Sequence, residues 1–317
     1  MPEIKVAKHA GFCFGVKKAI EIAEEVASKN PGKTYVYGQL VHNEKVIKDL
    51  ESRGIIFVED INEIPQNAVT VLRAHGEPGT TYQILEQKSI SKGKNLNDAT
   101  CPLVTLVHNV AIKLKNNGYE VIIFGKHDHP ESIGTSYHLK GKNTFIVEHE
   151  DDYENVIEHI KKNDFEKVAI ISQTTMSVYG YGKLIDNINH HFENKFVEIP
   201  LALKNMDVKY GFVDTICNPT KQRQSDTEDI AKESDVVIVI GGRNSSNSKE
   251  LYAKCREMGV DSYFIQFAEQ LEKEWFEGKE KIGVTAGAST PDYLIDEVVE
   301  RIKEIVGIEK INTEIRI

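Results

Sequence analysis

Three of the four cysteines in this chain are well placed to hold a metal. Cys13 lies in HAGFCFGVKK, Cys101 in DATCPLVTL and Cys217 in DTICNPTKQ, and each comes just before a stretch that predicts a helix. Helix N-termini favour thiolates because the helix dipole and the free N–H groups stabilise negative charge on sulfur. Three such thiolates suit a zinc ion or an iron–sulfur cluster. Beside Cys101, Thr100 can cap the helix and Pro102 suits its first turn.

The alternative is that these cysteines are unrelated core residues, since cysteine is among the most buried residue types. Cys255 favours that interpretation for itself, because it lies inside an amphipathic helix, SKELYAKCREMG. In a reducing compartment, four cysteines so far apart predict thiols or metal ligands rather than disulfides. We expect Cys13, Cys101 and Cys217 to act together and Cys255 to belong to the core.

A second group of polar side chains follows segments that predict strands. Open α/β sheets bind ligands at the carboxyl ends of their strands. Hydroxyls, amides and imidazoles placed there are the donors that an anion such as a diphosphate needs. Each motif alone is weak, because a serine cluster before a helix is usually a cap and a single histidine is more often structural. The candidates are His42, His75, His129, Thr174, Thr175, Ser245, Ser246, Asn247 and Ser289.

Glu131, in HPE, is the carboxylate that falls within these motifs. Beside a metal cluster and an anionic ligand its pKa could rise, and a protonated carboxyl can donate a proton. The alternative, an ordinary solvated glutamate after a proline, fits the sequence equally well.

Strand-like and helix-like segments that must position these residues alternate along the whole chain. Short runs rich in Val and Ile, followed by segments with helical periodicity, predict an α/β protein with parallel sheets covered by helices. The similar setting of the three cysteines suggests three related α/β units around a centre, each supplying one thiolate. The predicted strands lie within residues 33–41, 68–76, 119–126, 167–175, 235–243 and 281–290.

Composition disfavours two classes of function. The 317 residues carry a net charge of −10 and no basic cluster, which argues against a nucleic-acid-binding protein. The longest apolar runs, such as VVIVI at 236–240, are far shorter than the roughly 20 residues that a membrane-spanning helix needs. The N-terminus lacks the pattern of a signal peptide, so we expect a cytoplasmic protein with no membrane partner.

Taken in order, these motifs resemble those of one enzyme family. GFCFGV, LVHN, RAHG, DATCP, HPE, SQTT, DTIC, NSSNS and TAGAS are similar to the motifs of the 4-hydroxy-3-methylbut-2-enyl diphosphate reductases, from about residue 11 to residue 291. These enzymes catalyse the last step of the methylerythritol phosphate route to isoprenoids. Two departures, an extra His127 before HPE and Glu77-Pro78 after RAHG, touch no position to which the resemblance gives a function.

The resemblance implies a fold and a cofactor. Three similar α/β domains would form a pseudo-three-fold cloverleaf around one central 4Fe–4S cluster. Cys13, Cys101 and Cys217 would be its three cysteine ligands, leaving one iron open for substrate. We expect the domains at residues 1–100, 101–195 and 196–303, followed by a C-terminal tail at 304–317.

The resemblance also implies a reaction. The enzyme would remove the terminal hydroxyl of an allylic diphosphate with two electrons, giving isopentenyl diphosphate and dimethylallyl diphosphate. Glu131 would deliver protons. An external donor of the ferredoxin or flavodoxin type would supply electrons, because the chain shows no nicotinamide or flavin fingerprint and TAGAST does not match G-x-G-x-x-G. The substrate would bind to His42, His75, His129, Thr174, Ser245, Ser246, Asn247 and Ser289, and Thr175 is adjacent to this set.

Three other functions stay open at this level. An iron–sulfur hydro-lyase would use three thiolates and an open iron without net electrons. Quinolinate synthase has a similar layout of three domains and three cysteines, but donors without an arginine clamp disfavour its dicarboxylate chemistry. A zinc-stabilised binding protein would use the same cysteines without catalysis. Iron content and consumption of a reductant separate these alternatives.

Overall fold

The computed structural model describes residues 2–203, 208–308 and 315–316. Within these residues the strands form three sheets, and all of the strand pairings in the sheets are parallel. Parallel strands need long crossover connections, which helices provide throughout the chain. The protein is therefore an α/β protein, as predicted.

The first sheet combines the N-terminal strand with the C-terminal third of the chain. All five residues of its strand Val236–Ile240 are buried, and successive side chains pack alternately into two separate apolar clusters. Three helices follow its strands or precede them: α8 (Asn218–Glu233), α9 (Ser246–Glu257) and α10 (Asp292–Val306). The strand order is β12 (Asp261–Ile265), β11 (Val236–Ile240), β13 (Lys281–Ala286), β1 (Glu3–Val6) and β14 (Ile315–Arg316).

The second sheet is covered by helices on both faces. Ile122 and Ile170 pack in one cluster with Leu184, whereas their neighbours Ile123 and Ile171 pack in another that includes Leu114 and Val110. The strand order is β7 (Ile146–Val147), β6 (Glu120–Phe124), β8 (Val168–Ser172), β10 (Tyr210–Phe212) and β9 (Phe196–Glu198). The helices are α4 (Pro102–Asn116), α5 (Pro130–Tyr137), α6 (Tyr153–Asn163) and α7 (Val178–His191).

The third sheet has four strands in the order β3 (Ile55–Val58), β2 (Thr34–Tyr37), β4 (Val69–Leu72) and β5 (Leu96–Asp98). The helices that alternate with these strands along the chain are α1 (Phe14–Lys29), α2 (Glu44–Ser52) and α3 (Gly79–Gln87). Among the helices of the described residues, none is both long and apolar enough to cross a membrane.

The chain divides into two compact units. The first comprises Met1–Lys17, Val41–Ser52 and Asn218–Ile317 and holds the first sheet. The second comprises Lys18–Leu40 and Arg53–Cys217 and holds the second and third sheets.

All six predicted strands are present, and each is shorter than its predicted segment. In every case the segment ends in a loop rather than in the strand itself, so the polar motifs follow the strands. Those loops begin after Tyr37, Leu72, Phe124, Ser172, Ile240 and Ala286.

If each of the predicted segments 1–100, 101–195 and 196–303 formed its own sheet, three strands would lie in other sheets than they do. Strand β1 pairs with β13, and both β9 and β10 join the sheet of β8. The reason is that the hydrophobic pattern of a segment predicts an extended backbone but does not show with which strands that segment pairs. Those domain boundaries remain a prediction.

The predicted tail at 304–317 is only partly described. Helix α10 continues to Val306 before Gly307 ends it with a φ of 72°. Further on, Ile315 and Arg316 pair with Lys5 and Val6 of β1. Residues 309–314 and 317 of the predicted tail lie outside the described residues.

Candidate active site

The three candidate ligand cysteines share one local setting, as the sequence predicts. Each directly precedes the first residue of a helix: Cys13 before α1, Cys101 before α4 and Cys217 before α8. All three are half-buried thiols rather than disulfides. The N–H of Val16 donates to Cys13 Sγ at 3.5 Å, so the first turn of α1 provides a donor to the sulfur.

The cap of α4 differs from the prediction. The N-cap is Cys101 itself, and Pro102 occupies the first turn as expected. Thr100 instead donates its hydroxyl to Asp98 Oδ1 at 2.6 Å, so it braces the loop after β5 and does not cap the helix. The hydroxyl proton of Thr100 is thus used within the loop, and Cys101 rather than Thr100 holds the N-cap position.

Each of these cysteines is tied through its backbone to a loop that carries another candidate residue. The Cys13 N–H donates to the carbonyl of Ala288, beside Ser289, at 3.0 Å. The Cys101 N–H donates to Ala74, beside His75, at 2.9 Å, and the Cys217 N–H donates to Thr174 at 3.2 Å. A sulfur and a polar side chain are thus fixed together at three separate strand ends. This pairing was not predictable from the sequence.

Cys255 is a core residue, as predicted. It lies in α9 with no exposed surface and packs with Leu251, Val237 and Val239. Burial raises the pKa of its thiol to about 12, because the apolar surroundings penalise the thiolate. A thiol held in this state is a poor metal ligand, and its setting differs from that of the other three cysteines.

In the first compact unit, the loops that carry five candidate residues are joined by direct hydrogen bonds. Ser289 donates its hydroxyl to the carbonyl of His42 at 3.0 Å, and the N–H of Ala288 donates to Asn247 Oδ1, also at 3.0 Å. The candidates His42, Ser245, Ser246, Asn247 and Ser289 thereby belong to one connected group.

The close approach within this group depends on a glycine. A Cβ on Gly242 would overlap the carbonyl group of His42, so a side chain at this position would separate the two loops. Gly242 is the second residue after β11, and the polar loop RNSSNS follows it directly. The glycine thus lets the loop after β11 lie against the loop that begins at His42.

The loop after β11 leaves two buried donors unsatisfied. Ser245 caps α9, because its Oγ accepts from the N–H of Ser248 at 3.2 Å. Ser246 Oγ and Asn247 Nδ2, in contrast, are buried and have no hydrogen-bond partner among the described residues. A buried polar atom without a partner costs roughly 1–3 kcal/mol. A ligand with several acceptor oxygens would remove that cost, which makes this group a candidate anion site at a helix N-terminus.

In the second compact unit, Glu131 and Thr174 form a buried pair. Glu131 is 2% exposed, and its two carboxyl oxygens accept from the N–H and the hydroxyl of Thr174, each at 2.7 Å. Burial raises the pKa of Glu131 to about 7, against the opposing effect of the two hydrogen bonds from Thr174. A carboxyl with that pKa is protonated in a large fraction of molecules at neutral pH, as a general acid requires.

Glu131 is held at the start of a short helix. His129 is the N-cap of α5, and its Nδ1 accepts from the N–H of Glu131 at 3.2 Å. Pro130 occupies the first turn, where its missing N–H has no cost. The motif HPE is therefore a helix start that fixes the backbone of Glu131 between a cap and a proline.

The two candidate histidines of this unit lie side by side. The rings of His75 and His129 have centroids 5.5 Å apart and are nearly perpendicular. His75 follows β4 of the third sheet and His129 follows β6 of the second sheet, so the two imidazoles come from different sheets. Two imidazoles and one carboxyl with a raised pKa at neighbouring strand ends can bind an anion and donate a proton.

Sequence reasoning missed Gln173, which lies inside the SQTT motif. Its side-chain carbonyl accepts from Ser132 Oγ at 3.2 Å and from the N–H of Lys126 at 3.1 Å. Its amide donates to Thr175 Oγ1 at 2.7 Å. Gln173 thereby links the loop after β6, the start of α5 and the loop after β8. An amide side chain in the middle of the candidate motif SQTT is the sequence signal that could have identified it.

These features define a class of protein: a parallel α/β protein with thiols, imidazoles, hydroxyls and one carboxyl of raised pKa at its strand ends. The chain belongs to the LytB protein family, because the family model described as LytB protein matches residues 4–303. This family consists of iron–sulfur enzymes.

Curated relatives and a solved structure support this family assignment. A protein of Aquifex aeolicus is 37% identical over 307 residues, covering 96% of this chain and 97% of the relative. One of Nitratiruptor is 39% identical over 304 residues, covering 96% and 99%. Both are named 4-hydroxy-3-methylbut-2-enyl diphosphate reductase. A solved E-1-hydroxy-2-methyl-but-2-enyl-4-diphosphate reductase from Plasmodium falciparum superposes with a TM-score of 0.83 at 28% identity, covering 95% of this chain and 88% of that chain.

Proposed function

We propose that this protein is a 4-hydroxy-3-methylbut-2-enyl diphosphate reductase. The substrate would lose its 4-hydroxyl group as water, taking up two electrons and two protons, and would give isopentenyl diphosphate and dimethylallyl diphosphate. Relatives that carry this name align with 96% of the chain, which supports the proposal. The electrons would come from an external carrier of the ferredoxin or flavodoxin type.

Cys13, Cys101 and Cys217 fit the ligand set of a 4Fe–4S cluster. They are half-buried thiols at helix starts, each with its backbone held at a strand end, and the first of them already receives an N–H on its sulfur. Soft sulfur donors are the ligands of iron–sulfur clusters, and three of them leave one iron for another ligand. When bound, such a cluster would supply reducing equivalents and Lewis acidity.

The observation that carries the proposal furthest is the buried pair of Glu131 and Thr174. The leaving hydroxyl must depart as water, so a proton has to reach its oxygen. Glu131 is a carboxyl whose burial holds the pKa at about 7, and Thr174 orients both of its oxygens. We assign the proton donation to Glu131 and the orientation of its carboxyl to Thr174.

The diphosphate end of the substrate is assigned to the polar groups at the strand ends. The buried Ser246 Oγ and Asn247 Nδ2 lack partners among the described residues and would donate to phosphate oxygens, together with the hydroxyl of Ser245. Ser289 would join them by turning its hydroxyl from the carbonyl of His42 to a phosphate oxygen. The imidazoles of His42, His75 and His129, and Thr174, complete the proposed substrate-binding set.

Turnover is expected to fall as the pH rises above about 7. Glu131 must carry its proton to act as an acid, and its pKa is raised to about 7. The protonated fraction is therefore nearly complete at pH 5 and falls about tenfold per pH unit well above the pKa. The measurement is kcat against pH under anaerobic conditions. A kcat that rises steadily between pH 6 and pH 9 would contradict a protonated Glu131.

Ser246→Ala is expected to raise KM roughly 10- to 150-fold and to leave kcat nearly unchanged. The substitution removes one neutral donor to a charged phosphate, which is worth roughly 1.5–3 kcal/mol. Ser262→Ala is the matched control, because Ser262 Oγ on β12 is also buried without a hydrogen-bond partner in the described residues but lies in no candidate loop. Equal values of KM in the Ser246 variant and the wild type would exclude this hydroxyl from the binding site.

The proposed activity is tested by anaerobic incubation of the purified protein with the allylic diphosphate, with and without a chemical reductant. The expected result is a brown protein containing iron and sulfide that forms both five-carbon diphosphates only when reductant is present. A colourless protein containing zinc would indicate a binding protein. Loss of water without a reductant would indicate a hydro-lyase.

A further inference from the structure

His108 contacts the backbone of two loops that carry candidate site residues. It lies in the second turn of α4, and its ring lies beside two glycines. A Cβ on Gly76 would lie 2.9 Å from its Cε1, and a Cβ on Gly134 would lie 3.4 Å from its Nε2. One imidazole thus fills the space between these two stretches of backbone.

The two glycines are immediate neighbours of the candidate site. Gly76 follows His75 and adopts a φ of +79°, the left-handed conformation that favours glycine. Gly134 lies in α5, the helix that His129 caps and whose first turn contains Glu131. His108 therefore contacts both the loop of His75 and the helix of His129 and Glu131.

This contact bridges two sheets. His75 follows a strand of the third sheet and His129 follows a strand of the second, yet their rings lie 5.5 Å apart. Helix α4 is tied to the loop of His75 at its start, where the Cys101 N–H donates to Ala74. Within the second compact unit, the ring of His108 completes this connection about two turns further along α4, on the side of α5.

His108 is suited to act by shape rather than by charge. Burial and the nearby ring of His138, at 4.9 Å between centroids, lower the pKa of His108 to about 4, and Asp98 opposes the shift. The imidazole is therefore neutral near pH 7. Its Nε2 is buried and has no hydrogen-bond partner among the described residues, so the ring contributes mainly packing.

We propose that His108 is a positioning residue that sets the spacing between His75 and His129 and thereby the fit of the substrate's diphosphate. The inference rests on the proposed function, because it takes these two histidines as phosphate ligands. Removing the ring would let the loop of Gly76 and the helix of Gly134 move towards each other. A displacement of about 1 Å in a site of this kind can cost on the order of 100-fold in rate or affinity.

His108→Ala is expected to raise KM and the Kd for inorganic diphosphate roughly 10- to 100-fold. Iron content should be unchanged, because the backbone bond that holds Cys101 remains. Kd is measured by anaerobic calorimetry with inorganic diphosphate, which needs no turnover. If the alanine variant does not fold, His108→Gln gives the same test with a smaller expected rise in both constants.

The matched control is Val110→Ala on the same helix. Val110 is 1% exposed and packs in the core of the second sheet, so its truncation should lower the melting temperature and leave KM and Kd at the wild-type values. A second comparison adds Gly134→Ala to His108→Ala. The new methyl group points into the vacated space and should restore part of the lost affinity.

The outcomes are separable. Wild-type protein that neither binds diphosphate nor turns over the substrate would overturn the proposed function itself. Active wild-type protein together with a His108→Ala variant of unchanged KM and Kd would overturn only the positioning role. Loss of iron in that variant would also overturn it, since the effect would then pass through the cysteine loop.

Discussion

Glu131→Gln is expected to reduce kcat roughly 10²–10⁴-fold, the range typical of a lost general acid. Glutamine keeps the size of the acid and can still hydrogen-bond to Thr174, but it has no acidic proton to donate. Binding should persist, because the imidazoles and the donors of the RNSSNS loop hold the diphosphate independently. Substrate should therefore still change the visible spectrum of the anaerobic protein while turnover nearly stops. The measurements are kcat and this spectral titration.

Glu120→Gln is the matched control for this substitution. Glu120 is also a buried glutamate of the second compact unit, at the start of β6, but it pairs with Lys140 and lies in none of the candidate loops. Its replacement should leave kcat unchanged. A Glu131→Gln variant with normal kcat and only weakened binding would remove Glu131 from the proton path.

Replacement of Cys13, Cys101 or Cys217 by serine is expected to remove most of the iron and nearly all of the activity. A hydroxyl oxygen is a hard and weakly acidic donor, whereas iron–sulfur clusters are held by thiolates. The backbone bonds of the three loops do not involve the sulfur atoms, so the fold should survive. Iron and sulfide analysis of anaerobically purified variants, with circular dichroism to verify folding, gives the result.

Cys255→Ala provides the control for the cysteine series. The thiol of Cys255 is buried in the core of the first sheet and has a pKa raised to about 12, so it should contribute packing and no ligand. The variant is expected to keep its iron and its activity with a lower melting temperature. A colourless Cys255 variant beside a fully active serine variant at any of the other three positions would refute the assigned ligand set.

Local signals made much of this site predictable from the sequence. A strand rich in Val and Ile, followed by a polar loop and a helix, has a recognisable pattern at each of the six strand ends. The placement of Cys101 before Pro102 and of His129 before Pro130 follows from the preference of proline for the first turn of a helix. These elements depend on residues within a few positions of each other, which is why a single sequence reveals them.

The remaining features depend on contacts between distant segments. The sequence does not show that β1 pairs with β13, nor that the cysteine loops bind the carbonyls of Ala288, Ala74 and Thr174. The cap of α4 is a local exception: Thr100 was expected to cap this helix, but Cys101 is its N-cap and the Thr100 hydroxyl donates to Asp98, two residues earlier. The raised pKa of Glu131 follows from its burial, and burial at this position could not be distinguished from exposure in the sequence.

Electron stoichiometry tests reductive dehydroxylation most directly. The anaerobic protein is mixed with the allylic diphosphate and a titrated one-electron reductant, and the reductant consumed is compared with the sum of isopentenyl and dimethylallyl diphosphate formed. The expected result is two electrons consumed for each molecule of product, with one oxygen lost as water. Product formation without consumption of reductant, or reductant consumption without either product, would contradict it.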